Sequence, residues 1–284
     1  MYDAGLILEG GGMKGLYTSG VLDFFLDKEL EFKNIYGVSA GACNMTGYVA
    51  KQRGRSRDIF TDYIDMKQYM GFYSFLTTGD FFGMDVSFDL IPNYINPFDY
   101  DKYREFTGNA YAVVTNIRTG EPEYVKIEDA YSQVDYLRAS SSLPLISKIV
   151  HIKGRPYLDG GVSDSIPIKE SERAGNVKNV VVMTKPIGFR RKPESKKMLA
   201  AIKVKYLRYP KVYELIKNRY IAYNECLDYV EKEAAEGKIF LIRPEHDLEI
   251  SRTEKDKEKL LKLYDEGYEE AKKQYDALME YLNK

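Results

Sequence analysis

A serine between two glycines is the first residue in this chain whose setting predicts chemistry. The motif Gly37-Val38-Ser39-Ala40-Gly41 follows an apolar segment, 34–38, and precedes a segment rich in small residues, 40–51. These two segments are predicted to be a strand and a helix. A strand that turns sharply into a helix at G-x-S-x-G exposes the serine hydroxyl at the positive end of that helix. We therefore interpret Ser39 as a nucleophile, although a turn closed by a capping serine is also consistent with the pattern.

A glycine-rich loop precedes this serine. It lies between a predicted strand, 5–8, and a predicted helix, 16–30, and consists of Gly10, Gly11, Gly12, Met13, Lys14 and Gly15. Glycines allow a close backbone approach, and the free N–H groups at the start of a helix attract negative charge. The negative group could be a pyrophosphate or the oxyanion of an ester transition state. A turn that binds nothing is the third interpretation.

An acidic residue before two glycines is the third candidate. Asp159-Gly160-Gly161 ends a short predicted strand, 156–158. A carboxylate beside residues without side chains suits a general base that must lie close to another backbone. Asp-Gly is also a common turn sequence. The motif therefore gains its meaning from the other two.

Two enzyme classes with similar motifs agree less well with the order of elements. In a dinucleotide-binding fold the second strand should end in an acidic residue, but here it ends in Ser39. In an α/β-hydrolase several strands precede the serine and a histidine follows the acid. The chain has only two histidines, His151 and His246. His246 lies in a polar stretch after Asp159 and could complete a Ser-His-Asp triad.

The elements that must position these residues predict an α/β fold. A strand, helix, strand, helix start favours a central, mainly parallel sheet with helices on both faces. Predicted strands are 5–8, 34–38, 111–115, 124–127, 148–151, 156–158, 180–183 and 239–242, and predicted helices are 16–30, 40–51, 133–140, most of 194–235 and 253–282. We expect a single domain, 1–284, with a motif core of about 4–185 and a helical C-terminal part, 186–284, with one late strand. The aromatic segment 60–106 is predicted to form short helices and loops, either as a satellite core or as a lid or acyl-chain groove.

The composition sets limits on function. The chain has 284 residues, 44% of them hydrophobic and 30% charged, with a formal net charge of -1. These values are typical of a globular protein and do not favour nucleic-acid binding. Only Cys43 and Cys226 are present, so neither a disulfide framework nor a metal site is expected. The N-terminus lacks the pattern of a signal peptide, and no apolar run is long enough to span a bilayer. We expect a cytoplasmic protein whose contact with a membrane, if any, is peripheral.

Taken together, the motifs resemble those of the patatin-like phospholipase family. The glycine loop with Lys14, the motif around Ser39 and the motif at Asp159 occur in the family's order. The small-residue run 139–144 and the segment 159–167 are also similar to the family, as is the closing segment 264–271. Ser165 is a departure, because family members often have Asn there. The resemblance covers residues 4–185 well and the remainder loosely.

This resemblance implies a three-layer fold and a Ser–Asp dyad without a cofactor or metal. Asp159 would accept the Ser39 proton and would later activate water, provided that burial raises its basicity. Among the loop residues, the N–H groups of Gly11, Gly12 and Met13 are the expected oxyanion donors, and Lys14 would add positive charge. The substrate would be a phospholipid or another lipid ester. The alternatives are a Ser-His-Asp esterase using His246 and a non-catalytic lipid-binding protein on the same fold.

A basic segment, 185–219, adds a further expectation. It contains twelve lysines and arginines, opposed by only Glu194 and Glu214. Apolar and aromatic residues alternate with the charges, as in helices that lie on anionic lipid surfaces. We therefore predict peripheral contact with an anionic membrane. An ordinary helix pair, solvated on one side and packed on the core on the other, explains the pattern equally well.

Overall fold

Eight strands form the framework of the protein. The computed structural model describes residues 1–247 and 249–284. The strands are β1 (Tyr2–Leu8), β2 (Phe32–Val38), β3 (Asn109–Asn116), β4 (Glu121–Lys126), β5 (Val150–Ile152), β6 (Arg155–Asp159), β7 (Asn179–Val182) and β8 (Ile239–Ile242). Strand β7 is buried along its whole length and contains three consecutive valines, a composition typical of central strands in parallel sheets.

The strands form one mixed sheet in the order β5-β6-β3-β2-β1-β7-β8, with β4 also paired to β3. The five strands β3, β2, β1, β7 and β8 are parallel. Strands β4, β5 and β6 pair in antiparallel fashion at the β3 end. The α/β class is confirmed, and the predicted parallel arrangement holds for the central five strands.

Helices cover both faces of this sheet. They are α1 (Gly15–Asp27), α2 (Ala40–Val49), α3 (Arg55–Asp62), α4 (Phe72–Thr78), α5 (Tyr100–Arg104), α6 (Val134–Ser140), α7 (Ile168–Arg173), α8 (Lys196–Lys205), α9 (Pro210–Ala235), α10 (Lys257–Lys273) and α11 (Tyr275–Asn283). Short 3-10 helices occupy Gly12–Lys14 and Gly160–Val162, and a π-helical segment occupies Val86–Ile95. Leu6 and Leu8 pack into the core cluster on one face, whereas Ile7 packs into the cluster on the other. This alternation along β1 gives three layers.

The structure differs from the expectation in two helices. The predicted helix 16–30 ends at Asp27. The predicted helix 253–282 is two helices, α10 and α11, which separate at Gln274. Nothing in the structure explains the break at Gln274. Within the part of the chain that the structure describes, no helix combines the length and apolar character needed to cross a bilayer.

The C-terminal part packs directly on the helix that follows the glycine loop. Helices α1 and α10 cross closely, since a Cβ atom on Gly20 would lie 2.0 Å from the carbonyl oxygen of Tyr264. A Cβ atom on Gly267 would lie 2.0 Å from the carbonyl oxygen of Tyr17. The hydroxyl of Tyr264 also donates to Asp23 at 2.7 Å. These contacts fix the position of α1, and they support our proposal of a single domain.

Candidate active site

The register of the sheet brings Ser39 and Asp159 to the same place. Strand β2 pairs with β3 as far as Val38, which lies opposite Val113. Strand β6 pairs with the next residues of β3, and Asp159 lies opposite Val114. Because β4 occupies the other edge of β3 over both stretches, β2 and β6 share one edge and lie end to end. Ser39 follows Val38 directly and Asp159 is the last residue of β6, so the serine and the aspartate meet where the C-terminal ends of the two strands face each other.

The turn at Ser39 is the strained elbow that the motif predicts. Ser39 has φ 56° and ψ -124°, an unusual conformation for a residue with a side chain. Such strain costs on the order of 1–3 kcal/mol and tends to be retained at functional sites. The turn also requires close contacts, because a Cβ atom on Gly41 would lie 2.4 Å from the carbonyl oxygen of Leu8. A Cβ atom on Gly37 would lie 2.5 Å from Cα of Ala42. Both glycines of the motif are therefore needed by the local packing.

A serine to which the sequence analysis gave no role connects the two strands. The Ser39 N–H donates to Oγ of Ser140 at 2.9 Å, and this hydroxyl donates to the carbonyl oxygen of Val113 at 2.7 Å. Two residues further on, the carbonyl oxygen of Ser142 accepts the N–H of Asp159 at 2.9 Å. The small-residue run 139–144 therefore holds the serine turn and the aspartate strand together. The sequence identified this run only by its resemblance to the family, which did not indicate these partners.

Asp159 is a buried carboxylate with one oxygen available. The residue is 1% exposed, and its Oδ1 accepts the N–H of Gly161 at 2.7 Å. Its Oδ2 is buried and accepts no hydrogen bond from the residues that the structure describes. Burial raises the pKa of the carboxyl above its usual range, and the Ser39 hydroxyl, Arg219, the Gly161 N–H and Arg252 each oppose this rise.

The Ser39 hydroxyl is therefore close enough to influence the Asp159 carboxyl, although a well-formed hydrogen bond between them is absent from the described residues. Catalytic hydrogen bonds are often long or poorly aligned before substrate binds. The free Oδ2 is the atom that can take the proton.

The glycine loop lies against the elbow. A Cβ atom on Gly10 would lie 2.8 Å from Cβ of Ser39. Gly12 has φ 59°, which glycine adopts readily, and it begins the 3-10 helix Gly12–Lys14. The N–H groups of Gly11 and Gly12 donate no hydrogen bond within the described part of the chain. The Met13 N–H, by contrast, already donates to the carbonyl oxygen of Arg252 at 3.1 Å. This bond uses the N–H group of one of the three predicted oxyanion donors. Of the three, Gly11 and Gly12 keep an N–H group without a partner among the described residues.

The remaining loop residues have structural partners. Lys14 forms an ion pair with Asp247 at 3.4 Å and is largely buried, so it is not a freely solvated residue. The carbonyl oxygen of Gly15 accepts the side-chain amide of Asn44 at 2.7 Å, which links the start of α1 to α2. Gly160 lies close against β3, since its Cβ atom would meet the carbonyl oxygen of Val113 at 2.2 Å.

An apolar cavity of about 160 Å³ opens at Ser39. It runs between α2 and the aromatic segment 60–106, whose side chains form much of its wall. Those that line it from this segment are Phe60, Tyr69, Phe82, Met84, Ser87, Phe88, Pro92, Phe98 and Tyr100. Other residues of the same segment, including Ile64, Met70 and Ile91, are buried in the main core. The segment therefore both extends the core and lines a groove.

A second, polar cavity lies on the other side of Ser39. Its walls include Asp159, Glu9, Tyr223 and four cations: Lys185, Arg191, Arg219 and Arg252. Burial lowers the pKa of the Lys185 ammonium to about 8, and the carboxylate of Glu9 partly opposes this effect. Burial likewise lowers the pKa of the Arg219 guanidinium to about 9, with Arg191 and Arg252 acting in the same direction. The Arg219 residue is partly exposed, but its Nε is fully buried and has no partner among the described residues.

These positions correct part of the membrane expectation for segment 185–219. Lys185 is 5% exposed, and the Arg191 side chain is 9% exposed. Together with Arg219, which is partly exposed, they line the polar cavity. Lys185 and Arg191 lie in the connection between β7 and α8, and Arg219 lies on α9, where sequence periodicity cannot distinguish the outer side of a helix from a side that borders a cavity.

His151 and His246 lie away from both cavities, and Cys43 is the cysteine near Ser39. His151 and His246 are exposed, and neither lines either cavity. No hydrogen bond joins His246 to Ser39 in the described structure. Burial raises the pKa of the Cys43 thiol to about 11, so it carries no thiolate at neutral pH. The residues that the structure describes contain no group of three or more side chains able to hold a metal ion.

The three motifs lie within the part of the chain that matches a known family. A family model for the patatin-like phospholipase matches residues 6–171, and a model for a domain of unknown function (DUF6363) matches residues 209–283. Uncharacterized protein YjjU of Escherichia coli (strain K12) is 29% identical over 244 residues, which are 84% of this chain and 68% of YjjU. The crystal structure of VipD from Legionella pneumophila aligns with a TM-score of 0.46 and 14% identity. That alignment covers 96% of this chain and 67% of VipD.

The bridging role of Ser140 gives a prediction about stability. Ser140→Ala removes the acceptor of the Ser39 N–H and the donor to Val113, so we expect the free energy of unfolding to fall by roughly 1–3 kcal/mol. Urea denaturation measures this change. Ser142→Ala is the matched control, because its hydroxyl only bonds back to the carbonyl of Arg138 within its own helix turn. Equal losses in the two variants would contradict the bridging role.

Proposed function

We propose that this chain, which belongs to the patatin-like phospholipase family, is a serine carboxylic ester hydrolase that uses Ser39 as nucleophile and Asp159 as base. Family membership supports a lipid acyl hydrolase in general. The proposal adds a particular pair of residues and a particular class of ester. The substrate that we propose is a phospholipid or lysophospholipid.

One observation carries this proposal. The Ser39 hydroxyl lies beside the buried carboxyl of Asp159, whose Oδ2 has no partner among the described residues, and Ser39 itself lines the apolar cavity. A buried carboxylate with a raised pKa is a better base than an exposed one at neutral pH. The apolar cavity suits an acyl chain, and its opening at Ser39 suits an ester carbonyl at the chain's end.

The mechanism follows from these positions. Ser39 Oγ attacks the carbonyl carbon while its proton moves to Oδ2 of Asp159, and the N–H groups of Gly11 and Gly12 stabilise the oxyanion. General-base help is typically worth about 10²–10⁴ in rate, and each oxyanion donor about 10²–10³. The protonated Asp159 then donates to the leaving alcohol. In the second half-reaction the same carboxylate removes a proton from water, which attacks the acyl-enzyme. Asp159 then returns that proton to Ser39 Oγ as the acyl–oxygen bond breaks and the fatty acid leaves.

The dyad predicts a specific pattern of activity loss. Ser39→Ala removes the nucleophile and Asp159→Asn removes the ionisable base, so each should reduce kcat on a nitrophenyl ester by at least about 10³. Circular dichroism and thermal unfolding should show that both variants remain folded. A folded Ser39→Ala variant with near-wild-type turnover would contradict the nucleophile.

The histidine variants are the controls for this pattern. His246→Ala and His151→Ala change exposed side chains that line neither cavity, so both should retain most of the activity. If His246→Ala were as inactive as Ser39→Ala, a Ser-His-Asp triad would replace the dyad.

The pH dependence of activity gives a second prediction. Only the ionised Asp159 accepts a proton, and burial raises its pKa, so the acid limb of kcat/KM should lie at a higher pH than for an exposed aspartate. Arg219 lowers this pKa, so Arg219→Gln should raise it further and move the acid limb to still higher pH. Profiles with a neutral nitrophenyl ester measure the shift. Lys217→Gln, an exposed charge on the same helix, should leave the limb unmoved; an unmoved limb in Arg219→Gln as well would remove Asp159 as the titrating base.

We also propose that the exposed part of the basic segment contacts anionic membranes. Lys197, Lys203 and Arg208 remain exposed. Val204 and Leu207 beside them are 70% and 72% exposed. Basic and apolar side chains on one surface suit an anionic lipid interface, where each cation adds about 1 kcal/mol.

Vesicle co-sedimentation tests this contact. The wild-type protein should bind vesicles containing an anionic lipid more tightly than neutral vesicles, and the binding should weaken as salt rises. The double variant Lys197→Glu and Lys203→Glu should reduce binding by at least about tenfold. Lys262→Glu, an exposed charge on α10, is the control. Equal binding to both kinds of vesicle, or none to either, would contradict the proposal.

A further inference from the structure

The four cations of the polar cavity lack sufficient negative partners. We call Lys185, Arg191, Arg219 and Arg252 the cation cluster. Only two carboxylates, Glu9 and Asp159, line the same cavity. Within the described residues, Arg219 and Arg252 have no ion pair, and Arg191 has one, with Glu194 at 3.7 Å. A cavity with more cations than carboxylates attracts an anion.

Neither carboxylate is available to neutralise the cations. One oxygen of Glu9 accepts the hydroxyl of Tyr223 at 2.7 Å, and the other accepts the N–H of Thr184 at 2.7 Å. Asp159 must stay available to the Ser39 proton if the dyad is correct. Lys185 is buried and Arg191 and Arg219 are partly buried, whereas Arg252 is exposed. Since buried charges are costly without partners, the first three cations are the ones that an anion in the cavity would stabilise.

The cation cluster lies on the leaving-alcohol side of an ester bound at Ser39. Gly12, Ser39 and Leu143 line both the apolar cavity and the polar cavity, so the two cavities meet at the nucleophile. An ester whose acyl chain fills the apolar cavity must direct its alcohol portion into the polar cavity. The group that meets the cations is therefore attached to the leaving alcohol.

We propose that the cation cluster binds the phosphate of a lipid ester on the leaving-alcohol side of Ser39, and that it selects substrates with an anionic headgroup. This inference rests on the proposed ester hydrolase function and adds the headgroup class. Arginine side chains bind phosphate through paired, charge-assisted hydrogen bonds, and lysine adds a point charge.

The charge of the cluster also distinguishes between phospholipid classes. A phosphomonoester carries about -1.5 to -2 charges at neutral pH, which matches the excess of two cations over carboxylates in the cavity. A phosphocholine headgroup would bring a quaternary ammonium against the same cations. Sites for such ammonium groups use open aromatic faces, but the ring of Tyr223 is already covered by the Arg191 guanidinium at 5.6 Å. We therefore expect lysophosphatidic and phosphatidic acids to be favoured over phosphatidylcholines.

Arg191 offers the cleanest test of the cluster. Its backbone N–H donates to Oδ1 of Asn224 at 2.9 Å, and its carbonyl accepts the Asn224 amide at 3.0 Å. These bonds do not involve the guanidinium, so Arg191→Gln retains the local anchoring. Arg191 is also absent from the groups that chiefly set the Asp159 pKa, unlike Arg219 and Arg252. Lys192→Gln is the matched control, because it removes an exposed charge one residue away.

The experiment compares kcat/KM for three esters with the same acyl chain: lysophosphatidic acid, lysophosphatidylcholine and monoacylglycerol, all below their aggregation limits. The wild-type protein should favour lysophosphatidic acid over both others by at least about tenfold. Arg191→Gln should reduce that preference by about tenfold, through a higher KM for lysophosphatidic acid. Lys192→Gln should keep the wild-type preference.

The results of this experiment distinguish a wrong phosphate site from a wrong ester hydrolase function. Hydrolysis of all three esters at similar rates, with Arg191→Gln behaving like the wild type, would overturn the phosphate site and leave the ester hydrolase intact. Failure to hydrolyse any ester would instead remove the proposed function.

Inorganic phosphate distinguishes a headgroup site from a site for a free anion. Added phosphate should raise KM for lysophosphatidic acid, and Arg191→Gln should weaken this competition. If phosphate instead accelerates monoacylglycerol hydrolysis and lysophosphatidic acid shows no preference, the cluster binds a free anion and the headgroup assignment is wrong.

Discussion

The shared edge of β3 is the constraint on which the site depends. Strand β2 pairs along this edge as far as Val38, and β6 pairs along its continuation with Asp159 as its last residue. Two segments more than a hundred residues apart therefore meet end to end on one strand. Backbone hydrogen bonds of a sheet fix positions far more tightly than a flexible loop could, and a catalytic pair tolerates little displacement. The chain must turn away after β2 before it collides with β6. The strained turn at Ser39, the glycines beside it and the hydrogen bonds of Ser140 follow from this requirement.

The same position creates opposite electrostatic demands on Asp159. Burial between strands raises its pKa and therefore its basicity, but the same burial disfavours the ionised form that accepts a proton. Arg219 and Arg252 oppose that rise from the polar cavity. We interpret the cations as a balance that keeps the carboxylate ionised while it stays basic. The same charges supply the proposed phosphate site, so one cluster serves the base and the headgroup.

The sequence predicted the elements near the motifs because local patterns determine them. The serine elbow, the glycine loop before α1 and the fully apolar β7 each have a signature within about ten residues. Other features depend on contacts between distant segments. The bond from Met13 to Arg252 joins residues 239 positions apart, and nothing near Met13 indicates it. Arg219 has the spacing of a solvated residue on α9, yet its guanidinium borders the polar cavity because α9 packs across the end of β6. Local periodicity reports which side of a helix is apolar, and it does not report which polar residues line a cavity.

The proposed catalytic residues and the cation cluster lie in different regions of the chain, and this separation affects substrate choice. The proposed nucleophile, the glycine loop and the proposed base all lie within residues 6–171, the part matched by the patatin-like phospholipase model. Every member of the cation cluster lies beyond residue 171, and Arg219 and Arg252 lie within the second matched region, 209–283. A chain of this family can therefore keep its ester chemistry while changing the residues that meet the leaving alcohol. Because Gly20 and Gly267 bring α1 and α10 into close contact, the region that supplies these cations is fixed to the glycine loop. Headgroup preference is accordingly the property that we expect to vary most among relatives that share the serine and aspartate motifs but differ in their C-terminal parts.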